Sequence, residues 1–591
     1  MSGNPQPDGA VMQNLFQAGQ AFAQGFMHFM AQQPVAGAAS AAATNLPPHL
    51  PQSEAIASLQ KSFAERHLAL WQAMLQGGAP GEVKDKRFAA AEWAESPYFD
   101  YLRQAYLLNA EFCGRLVDAL PGDEDTRERL RFFTSQFVDA MAPSNFAATN
   151  PEFVKAALAS QGASITAGIR NLLEDLRKGR ISMTDEAAFE VGRNLATTPG
   201  QVIYENELIQ IIQYDPATPK VYARPLVIVP PCINKFYILD LQPQNSFVRH
   251  AVEQGMTVFL VSWRNPQAEL GHLGWDDYIE RGALKAIEVA REVSGGEKVN
   301  ALGFCVGGTI LSAALSVAGA RGEDPAASLT LLTTLLDFSD GGEVAHYIDE
   351  ASVAAREKAI GGGGLLRGAE LATAFSSLRA NDLIWQYVVG NYLKGGKPAA
   401  FDLLYWNADS TNLPGPFAVW YLRHLYLENA LREPGRLAMC GTATDLTRLG
   451  MPAYIYSSRE DHIVPWKSAY LSRGLLGGET TFVMGASGHI AGVVNPPAAG
   501  KRSHWRNDAP AAEADEWLAG ATEYKGSWWP HWIGWLKRFG GDVRTAPKKP
   551  GSRRHKPIEA APGRYVREKS LAAPGETRLA TTNNPRQAKE S

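Results

Sequence analysis

Apolar side chains recur every three or four positions between residues 53 and 176, then give way to short continuous apolar runs from about residue 198. The first rhythm is that of helices burying one face; the second fits strands buried on both faces. Amphipathic helices are expected over 53–75, 98–120, 123–141 and 151–176. Residues 201–214 read as an opening hairpin that turns at Tyr204-Glu205-Asn206-Glu207. Strand candidates follow at 226–229, 257–263, 299–304, 329–335, 453–456 and 480–484, with helical stretches between them, the clearest over 278–293. Such alternation predicts a mostly parallel sheet covered on both faces. The rhythm breaks over about 339–445, where Gly361-Gly362-Gly363-Gly364 offers a hinge and aromatic residues then crowd together. An insertion at that point is expected to form a cap over whatever the sheet carries.

The ends read differently. Residues 1–32 hold an almost uncharged amphipathic stretch with Leu15, Phe22, Phe26 and Phe29 at helical spacing. Lacking basic residues, it does not fit an anionic lipid surface. Residues 33–50 are rich in Ala, Pro and Ser and read as a linker. The expected organisation is therefore a flexible segment at 1–50, a helical domain at 51–195, and a catalytic domain at 196–545 carrying the cap. A basic, Pro-rich tail at 546–591 is expected to be disordered.

The chemistry concentrates at Gly303-Phe304-Cys305-Val306-Gly307. A strand precedes this segment and a helix-like run follows it. Glycine on both sides of a nucleophile at a strand-to-helix turn is the nucleophile elbow of the α/β-hydrolase fold, here with Cys in place of the usual Ser. An isolated buried cysteine is more often inert, so its partners decide the matter. In that fold the acid and the histidine follow the nucleophile in chain order. Asp461 lies in the loop after the 453–456 strand, and His489 in the Ala486-Ser487-Gly488-His489 loop after 480–484. Both fall just past strand ends, where open α/β sheets hold their ligands. His462 competes for the base, but His489 follows the last core strand and is preferred. One oxyanion donor is expected at the Val306 N–H, the other in the loop Cys232-Ile233 after strand 226–229, with Ile233 the candidate. Cys232 itself reads as a packed loop residue.

Composition narrows the class. A chain of 591 residues with 45% hydrophobic and 20% charged residues is a globular protein of about two to four domains. A net charge of -4 argues against a dedicated nucleic-acid binder. The cysteines at 113, 232, 305 and 440 form no CxxC pair, which fits a reducing compartment and no structural metal. The first basic side chain is Lys61, so no signal peptide is expected, and no apolar run reaches transmembrane length.

Several longer motifs then agree in order. They are the run 230–241 (Pro-Pro-Cys-Ile-Asn-Lys-Phe-Tyr-Ile-Leu-Asp-Leu), Ser262-Trp263-Arg264-Asn265-Pro266, Trp275-Asp276-Asp277-Tyr278, the elbow, Asn412-Leu413-Pro414-Gly415-Pro416, the stretch 459–466, Gly488-His489, and Gly526-Ser527-Trp528-Trp529. On these the chain resembles the class I polyhydroxyalkanoate synthases over roughly residues 60–570. The resemblance implies an acyltransferase that polymerises (R)-3-hydroxyacyl-CoA, with 3-hydroxybutyryl-CoA the expected monomer, into polyester with release of CoA. Its Cys-His-Asp triad falls on Cys305, His489 and Asp461. It also implies a role in elongation for Asp240, and an activity or CoA-binding position near Arg379. Phe401, Trp406 and Ala491 are candidates for shaping the acyl pocket. No metal or other cofactor is implied, CoA being the leaving group. The implied partners are a second copy of the chain in a homodimer, the growing polyester, phasins and the surface of cytoplasmic polymer granules. The competing readings are a thioesterase or depolymerase of the same fold, and a non-catalytic granule scaffold.

Overall fold

The computed structural model describes residues 54–76, 81–509 and 511–570. The expectations for residues 1–50 and for 571–591 lie outside the described residues. The described residues form two compact units, one within 54–185 and 373–400, the other within 186–372 and 401–570.

The first unit is helical. Its main helices are α1 (Glu54–Leu75), α2 (Pro97–Ala119), α3 (Glu124–Ala140), α4 (Pro151–Ala159) and α5 (Ala163–Lys178). Their starts reflect local chemistry. Asp123 accepts a hydrogen bond from the Thr126 N–H, and Asn150 caps α4 ahead of a proline at the first helical position. The apolar periodicity over 151–176 predicted one helix. The structure breaks it at Gln161 and Gly162, both at positive φ. Within this unit α5 packs against 388–393 so closely that a Cβ on Gly168 would sit 1.9 Å from the Tyr392 carbonyl oxygen.

The second unit is built on an eleven-stranded sheet. In chain order its strands are β1 (Gly200–Glu205), β2 (Ile209–Tyr214), β3 (Leu226–Val229), β4 (Val258–Trp263), β5 (Val299–Phe304), β6 (Ala326–Leu332), β7 (Ala453–Ser458), β8 (Thr480–Gly485), β9 (Ser503–Arg506), β10 (Thr522–Lys525) and β11 (Glu559–Ala560). Their order across the sheet is β10-β9-β8-β7-β6-β5-β3-β4-β2-β1-β11. The run from β8 to β4 is parallel, and the strands on either side are antiparallel. Successive side chains feed opposite faces. Val227 and Val229 join one apolar cluster, Leu226 and Ile228 the other. Helices α6 (Lys285–Val293) and α7 (Val306–Ala320) cover the first face, and α10 (Trp529–Lys537) the second; α8 (Asp402–Asn407) and α9 (His489–Val493) are short helices of the same unit. Among the described residues no helix is long and apolar enough to cross a membrane.

Three expectations need correction. The insertion between β6 and β7 is not one subdomain, because its middle, 373–400, belongs to the helical unit. The four-glycine run is not a free hinge. Gly364 donates to the Gly271 carbonyl at 3.0 Å and accepts from the Gly415 N–H at 2.8 Å. The tail beyond 545, expected to be disordered from its basic, Pro-rich composition, is ordered through 570. β11 pairs with β1, Tyr565 and Val566 are buried, and the Tyr565 hydroxyl donates to the Asn206 carbonyl at 2.7 Å. Its charges have partners in the fold: Arg564 meets Glu205 and Glu559, and Glu568 meets Arg264. Charge thus docks this segment rather than solvating it.

Candidate active site

The elbow forms where β5 stops and α7 starts. Cys305 sits between them at φ 52 and ψ -131, a strained conformation for a residue with a side chain. Its N–H donates to the Leu332 carbonyl at 2.9 Å, and its own carbonyl accepts from the Gly308 N–H and the Thr334 hydroxyl. The flanking glycines are steric necessities. A Cβ on Gly307 would lie 2.3 Å from the Val229 carbonyl oxygen, and one on Gly303 would lie 2.3 Å from the Gly308 Cα. Strand β3, helix α7 and the loop after β3 therefore approach at backbone contact.

Asp461 follows β7, and His489 opens α9 after β8. The loops are tied to each other, since the Glu460 N–H donates to the Ser487 carbonyl at 3.1 Å. The Asp461 carboxylate is divided between two tasks. Its Oδ1 accepts from the N–H groups of Ile463 and Val464, both at 2.9 Å, while Oδ2 meets His489 Nδ1 at 2.7 Å. With Nδ1 so engaged, Nε2 is the nitrogen left to face Cys305. Burial alone would lower the His489 pKa. The charges of Asp461 and Cys305, with their hydrogen bonds, outweigh it and raise it to about 10. Phe304 stacks on the imidazole, with ring centroids 5.7 Å apart.

Helix α9 is held by groups no motif announced as supports. The Trp528 and Tyr456 side chains both donate to the Gly492 carbonyl, at 3.1 and 2.7 Å, and the Trp529 indole donates to the Val493 carbonyl at 2.9 Å. The loop after β3 is clamped in the same manner. Thr411 Oγ1 donates to the Cys232 carbonyl at 2.8 Å and accepts from the Asn234 N–H at 2.9 Å. The Trp406 indole donates to the Lys235 carbonyl at 2.7 Å. Between these clamps stands Ile233. Across the turn, Val306 is the first residue of α7, so its N–H has no acceptor within the helix. Cys232 is buried, and that burial pushes its thiol far up, the state of a packed residue rather than a nucleophile.

The remaining candidates separate. Asp240 is wholly buried and accepts from the Thr198 and Ser246 hydroxyls at 2.6 and 2.7 Å, which ties two loops together. Burial raises its pKa. Trp406 is buried in the core, where it clamps the loop after β3. Phe401 is 47% exposed at the start of α8. Ala491 lies within α9, where its carbonyl accepts from Arg502. Arg379 belongs to the helical unit and pairs with Asp382 at 2.6 Å. Sequence reading passed over the polar side of the insertion's aromatics. Tyr421 and Tyr426 are part-buried; burial raises both hydroxyls, and Cys305 is close enough to act on each. Tyr421 extends a stack formed by Trp275, Phe417 and Trp420. A signal was present in the aromatic density of 405–426, but not in any single position.

Known proteins match along most of the chain. The model of the poly-beta-hydroxybutyrate polymerase (PhaC) N-terminus matches residues 84–251, and that of the alpha/beta hydrolase fold matches 225–496. The chain is 57% identical over 522 residues to the poly(3-hydroxyalkanoate) polymerase subunit PhaC of Cupriavidus necator, a match covering 87% of this chain and 89% of that one. It is 42% identical over 511 residues to the subunit of the same name from Rhizobium meliloti, covering 84% and 83%. It is 39% identical over 486 residues to poly(3-hydroxyalkanoate) polymerase 2 of Ectopseudomonas oleovorans, covering 82% and 86%.

Proposed function

The chain belongs to the poly(3-hydroxyalkanoate) polymerase family, and we propose that it joins the acyl groups of (R)-3-hydroxyacyl-CoA, 3-hydroxybutyryl-CoA foremost, into polyester with Cys305 as the acyl carrier. The observation that carries this reading is the pairing of a cysteine elbow with the His489–Asp461 couple. In the first step Cys305 Sγ attacks the thioester carbonyl. A new C–S bond forms, the bond to CoA breaks, and the CoA sulfur leaves with the proton held by His489. One thioester replaces another, so the step is nearly balanced. In the second step a 3-hydroxyl attacks the acyl-cysteine, His489 takes its proton, an oxygen ester forms and the Cys305 thiol is restored. That step runs downhill. A serine ester at position 305 would lie lower and deliver to an alcohol less readily.

The oxyanion of each tetrahedral intermediate is assigned to the N–H groups of Val306 and Ile233. Asp461 fixes the tautomer of His489 and stabilises its charged form. The aromatic stack around Tyr421 keeps water from the acyl-cysteine, without which hydrolysis would end the chain. This chemistry calls on no metal or redox cofactor. A homodimer, working at granule surfaces with phasins in the cytoplasm, completes the reading.

The test is the purified chain with 3-hydroxybutyryl-CoA, with free CoA and the acyl product followed together and Cys305→Ala as control. CoA release with an insoluble polyester, absent from the variant, is the expected result. Release of CoA with only soluble 3-hydroxybutyrate would overturn polymerisation and leave a thioesterase.

A further inference from the structure

The segment that leads out of the sheet unit, 556–570, ends beside the loop that carries Ile233. Lys235, two residues beyond Ile233, is 2% exposed, and its ammonium donates to the Glu568 carbonyl oxygen at 2.5 Å. The segment has two further anchors there. Arg264 meets the Glu568 carboxylate at 3.1 Å, and Lys569 pairs with the buried Asp409 at 2.8 Å; Asp409 is itself held by the Tyr237 hydroxyl, which donates to it at 3.0 Å. Upstream, β11 pairs with β1 and fixes the path of the segment.

A buried ammonium costs several kcal/mol in desolvation unless its surroundings compensate it, so a lysine here calls for a reason. A shorter apolar side chain would fill the core without that cost. What the ammonium supplies is a directional bond from the Ile233 loop to a backbone carbonyl some 330 residues away in sequence. The same loop is also held by Thr411 and Trp406. Thus the residues before and after Ile233 in sequence, Cys232, Asn234 and Lys235, are all gripped, with Ile233 between them.

We propose that Lys235 is a positioning residue, and that residues 559–570 act as a strap which, through it, holds the Ile233 N–H in place for the acyl-transfer transition state. The proposal rests on the assignment of Ile233 as an oxyanion donor. A small displacement of such a donor weakens transition-state binding without touching the nucleophile. Oxyanion donors matter for attack on a carbonyl. They do not matter for alkylation of a thiol, where no oxyanion forms.

The experiment compares two reactions of Cys305 in the full chain: acyl-enzyme formation from 3-hydroxybutyryl-CoA under single-turnover conditions, and alkylation by iodoacetamide. Lys235→Met should slow acylation about ten- to hundred-fold and leave alkylation unchanged. Lys569→Ala, which removes an exposed anchor of the same strap, should slow acylation in the same sense by a smaller factor. Equal loss of both reactions would mean a general collapse of the site and would overturn the proposal, as would acylation at the original rate. If Lys235→Met does not fold, Lys569→Ala decides: unchanged acylation there sinks the strap. Should the unsubstituted chain form no acyl-enzyme while alkylating normally, the acyl-transfer reading itself fails and takes the proposal with it.

Discussion

In the proposed cycle His489 gives up a proton in one step and accepts one in the next, and its surroundings change between the two. In the free enzyme burial disfavours the charged imidazole, while Asp461 and Cys305 favour it and raise its pKa to about 10. Once Cys305 carries an acyl group its influence on the imidazole is removed, and only Asp461 remains to oppose burial. The imidazole then becomes the weaker acid-holder that a general base must be. Alkylating Cys305 with iodoacetamide imitates this change. The His489 titration, followed by NMR with Asp461→Asn as reference, should move down from about 10 on alkylation and further down in the variant. A titration that ignores alkylation would break the coupling. The same shift bears on stability. Because the folded value lies above the ordinary 6.5, the contribution is complete below pH 6.5 and is lost as pH rises through about 10. The stability gap between the unsubstituted chain and Asp461→Asn should therefore be widest in mild acid and narrow towards pH 10.

At the level of elements, the candidate site residues could be picked out because each stands at the end of a strand with strong apolar character. Strands β5, β7 and β8 announce themselves as buried runs, and each leads into a loop or turn bearing one reactive side chain. The clamps were not legible. Thr411 lies 177 residues from Asn234 in sequence, and a lone threonine in a polar loop carries no period and no motif chemistry. Likewise, Trp406 was expected to shape the acyl pocket for its bulk, yet its indole N–H serves the Lys235 carbonyl. The edge strands β9, β10 and β11 escaped for a related reason, being short and polar and formed only because a neighbour offers a ladder. The clamp makes a definite prediction. Thr411→Val leaves the Cys232 carbonyl and the Asn234 N–H unpaired, each at a cost of about 1–3 kcal/mol. Acylation should slow and the thermal midpoint fall, and Thr411→Ser, which keeps the hydroxyl, should restore both. Failure of the serine variant would transfer the effect to the lost methyl group.

On the scale of the whole molecule, the chain crosses between its units more often than the sequence suggests. Periodicity divides it near residue 195 into a helical part and a sheet part, a division that respects local pattern. Compactness instead assigns 373–400, which lies within the insertion between β6 and β7, to the helical unit. The contacts there are specific. Asn171 donates to the Asn391 carbonyl at 3.0 Å, and the Tyr392 hydroxyl donates to Asp175 Oδ2 at 2.7 Å. Asp175 also accepts from the Ser182 N–H and hydroxyl, so a buried carboxylate gathers three donors, two from nearby Ser182 and one from a distant stretch. No amphipathic pattern reports such a pairing, because it depends on a single polar atom reaching a partner 217 residues away. The helical unit therefore cannot be completed until the insertion has been made, which places a long loop closure in its folding. Tyr392→Phe removes one donor from a charged acceptor and should destabilise the helical unit by about 1.5–3 kcal/mol. Urea unfolding of the full chain, read at Trp93 in that unit, should register the loss. A curve superimposable on that of the unsubstituted chain would show that the helices of 54–185 hold together without this anchor, and that the crossing is a matter of connectivity alone.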